Sequence, residues 1–125
     1  MITIQGFAKL CGCNTQTLRY YDRIGLLVPE ERVGKQKSRQ YGEADLSRLY
    51  RIRYYQEAGL TLSEIRSVLD HPEEDHTLLF QQVSERLKQK MEEIAEMLRR
   101  SQKLKEEYEN DPFEMPVLRD NARDE

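Results

Sequence analysis

Four side chains near the start of the chain carry chemistry suited to nucleic acid: Gln16, Arg19, Tyr20 and Arg23. Guanidinium, phenol and amide groups offer hydrogen bonds to base edges in a DNA groove and to the phosphates beside it. Gln16, Arg19, Tyr20 and Arg23 are three or four residues apart, so a helix would present them together. Leu18, Tyr21 and Ile24 recur every three residues and would form the inward face of the same helix. The alternative for this face is a solvated amphipathic helix.

A second cluster follows. Arg32, Lys35, Lys37 and Arg39 form a run with no acid among them. Such a run can displace counterions from phosphates; the alternative is a solvated loop. The net charge of −3 over 125 residues argues weakly against a nucleic-acid partner until it is divided. Residues 1–72 hold 11 Lys and Arg against 8 Asp and Glu, a net of +3. Residues 73–125 hold 9 against 15, a net of −6. Both cationic clusters lie in the basic part.

Positioning these groups requires particular elements. Ile4 to Cys11 reads as a short helix with Ile4, Phe7, Ala8, Leu10 and Cys11 available for a core. Gly12-Cys13-Asn14 breaks it, and Asn14 or Thr15 can cap the next helix by accepting a backbone N–H. Gly25 stops that second helix. A helix, a tight glycine-containing turn and a second helix with a polar outer face make a helix-turn-helix, whose second helix enters the major groove. Pro29 prevents helical continuation. Arg32 to Tyr41 then reads as a β-hairpin with Gly34 near its turn.

A third helix is expected after Gly42, with Glu43 and Asp45 in its first turn, where the helix dipole favours negative charge. Leu46, Leu49, Ile52 and Tyr55 give it an inner face, and Arg48, Arg51 and Arg53 point mainly outward. Gly59 ends it. Thr61-Leu62-Ser63-Glu64 is a capping box for a fourth helix, packed through Leu62, Ile65, Val68 and Leu69 and ended by His71-Pro72.

From Glu73 the character changes. Residues 74–109 contain neither proline nor glycine. Phe80, Val83, Leu87, Met91, Ile94, Leu98, Ser101, Leu104 and Tyr108 recur at steps of three and four, mostly a two-in-seven stripe on a charged helix. About 35 residues at 1.5 Å each give roughly 50 Å, longer than a 70-residue domain can cover. The simplest partner for the stripe is a second copy of the chain. Asn110-Asp111-Pro112 ends the helix. In the short acidic tail, Phe113, Met115, Val117 and Leu118 could dock on the dimer, and the last residues read as disordered.

Several classes are excluded at this level. No 18-residue apolar run and no charged-then-apolar leader is present, so neither a membrane span nor secretion is expected. No catalytic set emerges: no histidine lies near a nucleophile, and there is no glycine-rich phosphate loop or paired core carboxylates. No cofactor is implied. Cys11 and Cys13 do not suggest a disulfide framework, and a reducing cytoplasm fits. As Cys-x-Cys they lack the further ligands of a closed metal site, so no metal is assigned and a core role is expected. His71 reads as a terminal or surface histidine.

Gly6-Phe7-Ala8-Lys9-Leu10-Cys11-Gly12-Cys13, Thr17-Leu18-Arg19-Tyr20-Tyr21 and Gly25-Leu26-Leu27 resemble the opening of the MerR family of bacterial transcription regulators. Ser38-Arg39-Gln40-Tyr41, Asp45 to Leu49, Ala58 to Leu62 and Glu64-Ile65 extend the resemblance in the family's order over residues 2–70.

The resemblance implies a mostly α fold: a winged helix-turn-helix DNA-binding domain over residues 1–72, then a dimerisation helix over 73–110 in an antiparallel coiled coil, then a tail over 111–125. It implies that Arg19, Tyr20, Arg39 and Tyr41 contact an operator, with Thr15, Gln16, Thr17 and Arg23 as neighbours and Lys35 and Lys37 on phosphates. It places Phe80, Val83, Leu87, Met91, Ile94, Leu98 and Leu104 in the seam of a homodimer. The implied partners are double-stranded palindromic DNA, a second copy, and RNA polymerase reached through the promoter, which the activated dimer bends and untwists. Repression is the alternative outcome.

The hairpin departs from the family pattern. Members commonly carry a glycine and an aromatic just before the arginine that matches Arg39, and here Lys37 and Ser38 stand there. Cysteines used by metal-sensing relatives beyond the dimerisation helix are lacking, and no effector is assigned. A second functional class also fits: a DNA-binding accessory or antitoxin-like protein whose acidic helix binds another protein. Native size separates the two.

Overall fold

Thr3 opens the first helix by turning its hydroxyl onto the chain: its Oγ1 accepts from the Gly6 N–H at 3.1 Å. In the computed structural model, which describes residues 1–112, β1 is Ile2–Thr3 and α1 is Ile4–Cys11. Gly12 then takes φ +69° at the C-cap, and the Cys13 N–H donates to the Ala8 carbonyl at 3.0 Å, closing α1 with a left-handed residue. Asn14 is the cap of α2, Thr15–Arg23, with its Oδ1 accepting from the Thr17 N–H at 2.7 Å. Each such cap is worth about 1 kcal/mol.

The hairpin forms where the sequence indicates. Strands β2, Glu31–Val33, and β3, Ser38–Tyr41, are antiparallel, with Arg32 opposite Arg39 and Val33 opposite Ser38. β1 was not foreseen. It pairs antiparallel with β3, Ile2 opposite Tyr41 and Thr3 opposite Gln40, giving the sheet order β1-β3-β2. Two residues show no period to read, so only the tertiary pairing reveals that strand.

Helix α3 spans Glu43–Glu57 and α4 spans Leu62–Asp70 behind the expected capping box, with Thr61 and Glu64 exchanging hydrogen bonds at 2.8 and 3.2 Å. Asp45 does more than complement the α3 dipole. It is buried, and its Oδ2 accepts from both the Gly42 and the Glu30 N–H groups at 3.0 and 3.1 Å, tying the entry of β2 to the start of α3. Arg48 also proves structural: its Nε donates to the Leu26 carbonyl at 2.7 Å and its Nη2 to Asp70 at 2.8 Å. Arg66 of α4 donates to the Ile24 carbonyl at 2.5 Å. Two arginines thus satisfy carbonyls just past α2, where helix ends leave them unpaired.

The core gathers Phe7, Leu18, Leu26, Leu27, Tyr41, Leu49, Ile52 and Ile65, all fully buried. Leu10, expected inside, is 65% exposed. It falls outside the buried face of α1, which is built from Ile4, Phe7 and Ala8.

Helix α5 runs Thr77–Asn110. Its first turns belong to the first of two compact units, Met1–Val83; the second begins at Ser84. The Phe80 ring stacks on Tyr55 with centroids 6.2 Å apart, Leu79 packs on the core, and Val83 is 4% exposed. Val83 is therefore corrected from a dimer-seam position to a core residue of its own chain. In the second unit Leu87, Met91, Ile94, Leu98 and Leu104 are exposed, and Glu96–Arg100 and Lys105–Glu109 pairs at 3.1 and 2.7 Å line the helix. Among the described residues no helix is long and apolar enough to cross a membrane. The expected docking of Phe113, Met115, Val117 and Leu118 lies outside the described residues.

Candidate nucleic-acid interface

The outer face of α2 is built from its caps outward. With Leu18 and Tyr21 buried, Gln16, Tyr20 and Arg23 are exposed, and Thr15, Thr17 and Arg19 are half-buried. Arg19 is steadied within the helix, its Nη1 donating to the Thr15 Oγ1 at 3.1 Å. The Arg23 guanidinium lies 5.4 Å from the centre of the Tyr20 ring, a cation–π distance. Two contacts thus join side chains of this helix in pairs, Thr15 with Arg19 and Tyr20 with Arg23.

Beside it a concavity of about 260 Å³ opens between α2, the first residues of α1 and the hairpin. Arg19, Lys37 and Arg39 line it together with Thr3, Gln5, Gln36, Ser38 and Gln40, and no acid does. Three cations, amides and the start of a helix form a slot for a polyanion. Gln5 and Gln36 were not foreseen, and their types alone give no signal that would have found them. Lys35 and Lys37 stand exposed at the hairpin tip.

Two hairpin residues differ from expectation. Tyr41 is fully buried and stacked on Phe7, and burial pushes its hydroxyl up to about 12. It is a core residue and not an operator contact, because its ring is enclosed in the core against Phe7. Arg39 reaches the concavity but is also bound to Asp22, Nε to Oδ2 at 2.7 Å. Arg32 holds the other oxygen at 2.6 Å. Burial by itself raises the Asp22 carboxyl; the two arginines outweigh that and hold it below its ordinary value. Asp22 was missed, and its one legible signal is an acid set among the cations of α2.

Cys11 and Cys13 are half-buried against the core. Burial, then the neighbouring Cys13, pushes the Cys11 thiol up, which disfavours the thiolate a metal needs.

Residues 2–72 match the MerR HTH family regulatory proteins, and residues 46–109 match the MerR DNA-binding family description. The chain belongs to the MerR HTH family of regulatory proteins. It is 46% identical over 72 residues to the transcriptional activator TipA of Streptomyces coelicolor, covering 58% of this chain and 27% of TipA. The chain thus spans about a quarter of that relative. It is 34% identical over 119 residues to the mercuric resistance operon regulatory protein of Bacillus cereus, covering 89% of each. The crystal structure of MtaN, the N-terminus of the Bacillus subtilis multidrug transporter activator, superposes with a TM-score of 0.70 at 33% identity, covering 82% of this chain and 96% of that one.

Membership in the MerR family gives the departure at the hairpin a physical form. Lys37 has φ +56°, the only non-glycine residue with positive φ among the described residues. Its N–H donates to the Gly34 carbonyl at 3.2 Å, and Gly34 itself has φ +76°. The turn keeps the left-handed conformation a glycine would take, and a lysine occupies it.

Proposed function

We propose that this chain is a dimeric, sequence-specific transcription regulator of the cytoplasm, not an enzyme, which binds a palindromic operator through α2 and the hairpin. Recognition helix α2 lies in the major groove, with Arg19, Tyr20, Arg23 and Gln16 toward base edges and phosphates. The hairpin lies along the backbone with Lys35 and Lys37 on phosphates. The observation that carries the reading is the acid-free concavity in which Arg19, Lys37 and Arg39 meet. The capped helix α2 carries Arg19 and the hairpin carries Lys37 and Arg39, so two elements array these groups on one surface.

Dimerisation through the exposed stripe of α5 supplies the second grip. Leu87, Met91, Ile94, Leu98 and Leu104 on one line form a large apolar surface that water disfavours. Two grips on a stiff connector can transmit a change of tilt into a change of DNA shape, so the regulator acts on the promoter by distortion and reaches RNA polymerase through it. Activation is the outcome favoured by this reading.

Selection of bound DNA from a random pool tests it. A palindromic site with two half-sites should emerge, and a pool with no enriched sequence would overturn the reading. Shortening the spacer of the natural promoter by one or two base pairs should make it fire without the protein. A shortened promoter that still requires the protein would overturn distortion.

A further inference from the structure

We propose that Asp22 is a positioning residue for DNA binding: a single carboxylate on the recognition helix that holds both strands of the hairpin in place against that helix. The inference rests on the DNA-binding reading above.

The geometry is a fork. Oδ1 of Asp22 pairs with Nη2 of Arg32 on β2 at 2.6 Å, and Oδ2 pairs with Nε of Arg39 on β3 at 2.7 Å. Arg32 and Arg39 sit directly opposite each other across the hairpin, so both reach α2 from one side of the ribbon. The Asp22 side chain is 7% exposed, so water does not satisfy it in their place. The hairpin needs such a tether. Its strands have three and four residues, β1 adds only two more, and a hairpin this short is marginal by itself. The tip residues Lys35 and Lys37 are placed relative to α2 only as well as the strands beneath them are.

The tether also explains why an anion lies buried behind the cations Arg32 and Arg39, next to a surface meant for phosphates. Taken alone, a carboxylate there repels DNA, and removing it should tighten binding. As a tether it does the reverse. The sign of the effect therefore separates the two roles.

The experiment compares the full chain with Asp22→Asn and Asp22→Glu on the selected operator at several salt concentrations. Asp22→Asn is expected to weaken binding at least tenfold. The slope of log affinity against log salt should become shallower by about 1 to 2, at about 0.9 for each phosphate the hairpin no longer neutralises. Asp22→Glu, which keeps two charged oxygens, should recover most of both. Unchanged or tighter binding by Asp22→Asn, with an equal or steeper slope, would overturn the proposal.

Tryptic cleavage after Lys35 and Lys37 without DNA gives an independent readout, expected to quicken at least severalfold in Asp22→Asn. Should that variant fail to fold, Arg32→Gln at the exposed end of the fork is read the same way, and an unchanged cleavage rate overturns the tether. If the wild-type chain selects no DNA, the DNA-binding reading fails, and the cleavage rates still decide whether Asp22 holds the hairpin.

Discussion

The rings of Phe7 and Tyr41 stack with centroids 4.5 Å apart and planes 13° from parallel, locking α1 onto β3. The Tyr41 hydroxyl beyond that stack is buried and has no hydrogen-bond partner among the described residues. A buried unpaired hydroxyl costs about 1–3 kcal/mol. Tyr41→Phe is therefore expected to leave operator affinity unchanged and to raise the stability toward urea by about 1 kcal/mol. Tyr41→Ala should cost about 3–5 kcal/mol through the cavity it leaves. A Tyr41→Phe chain that folds as before but loses operator affinity would restore Tyr41 to the contact surface.

Lys37 supports a second prediction, because conformation and charge pull in opposite directions there. A non-glycine residue in the left-handed region costs about 1–2 kcal/mol. Lys37→Gly relieves that while removing one cation from the hairpin tip. Equilibrium unfolding should show a gain of about 0.5–1 kcal/mol, limited by the greater freedom of glycine in the unfolded chain. The salt slope of operator binding should fall by about 0.9. A loss of stability would mean that the lysine side chain contributes more to the turn than its backbone costs.

Asp22 gives stability a defined dependence on acid. Its carboxyl titrates below the ordinary 3.8 in the folded chain because the Arg32 and Arg39 hydrogen bonds outweigh its burial. The folded state binds this proton less readily than the unfolded one. The stabilisation is complete above the unfolded value and is lost as pH falls through the folded one. Asp70, held by Arg48 and Arg66 against its own desolvation, shifts the same way. The Tm difference between wild type and Asp22→Asn should be constant above about pH 5 and shrink below about pH 4. A difference that persists undiminished at pH 3 would remove Asp22 as the source of the acid dependence.

The stripe of α5 divides at Val83. Leu87→Asp with Ile94→Asp should place unpaired charge in the seam, which apolar surroundings tolerate poorly, and give a monomer by sedimentation. Val83→Ala should leave the dimer intact and instead lower the stability of the first unit by about 1–2 kcal/mol through poorer packing. A dimeric Leu87→Asp, Ile94→Asp chain would show that the seam lies elsewhere on the helix.

Local physics made the helical frame legible. Asn14 before α2, the Thr61–Glu64 box before α4 and Gly12 after α1 act through bonds that span three to five residues, so sequence contains both partners. The period of Leu18 and Tyr21 identified the outer face of α2 without coordinates, and the line from Leu87 to Leu104 identified a helix with an unpartnered stripe. Non-local pairing decided the rest. Arg39 lies 17 residues from Asp22, Arg48 lies 22 from Leu26, and Ile2 pairs with Tyr41, far along the chain. A cation's residue type does not say whether it meets a phosphate or a buried carboxylate; that depends on which chain segment the fold brings beside it. The sequence by itself determined the helices, the hairpin and the surface chemistry of α2, but not the two-residue strand β1. Only the tertiary structure decided that Tyr41 and Val83 are core and that Arg32 and Arg39 are tied to Asp22, because burial and charge pairing are properties of neighbours in space.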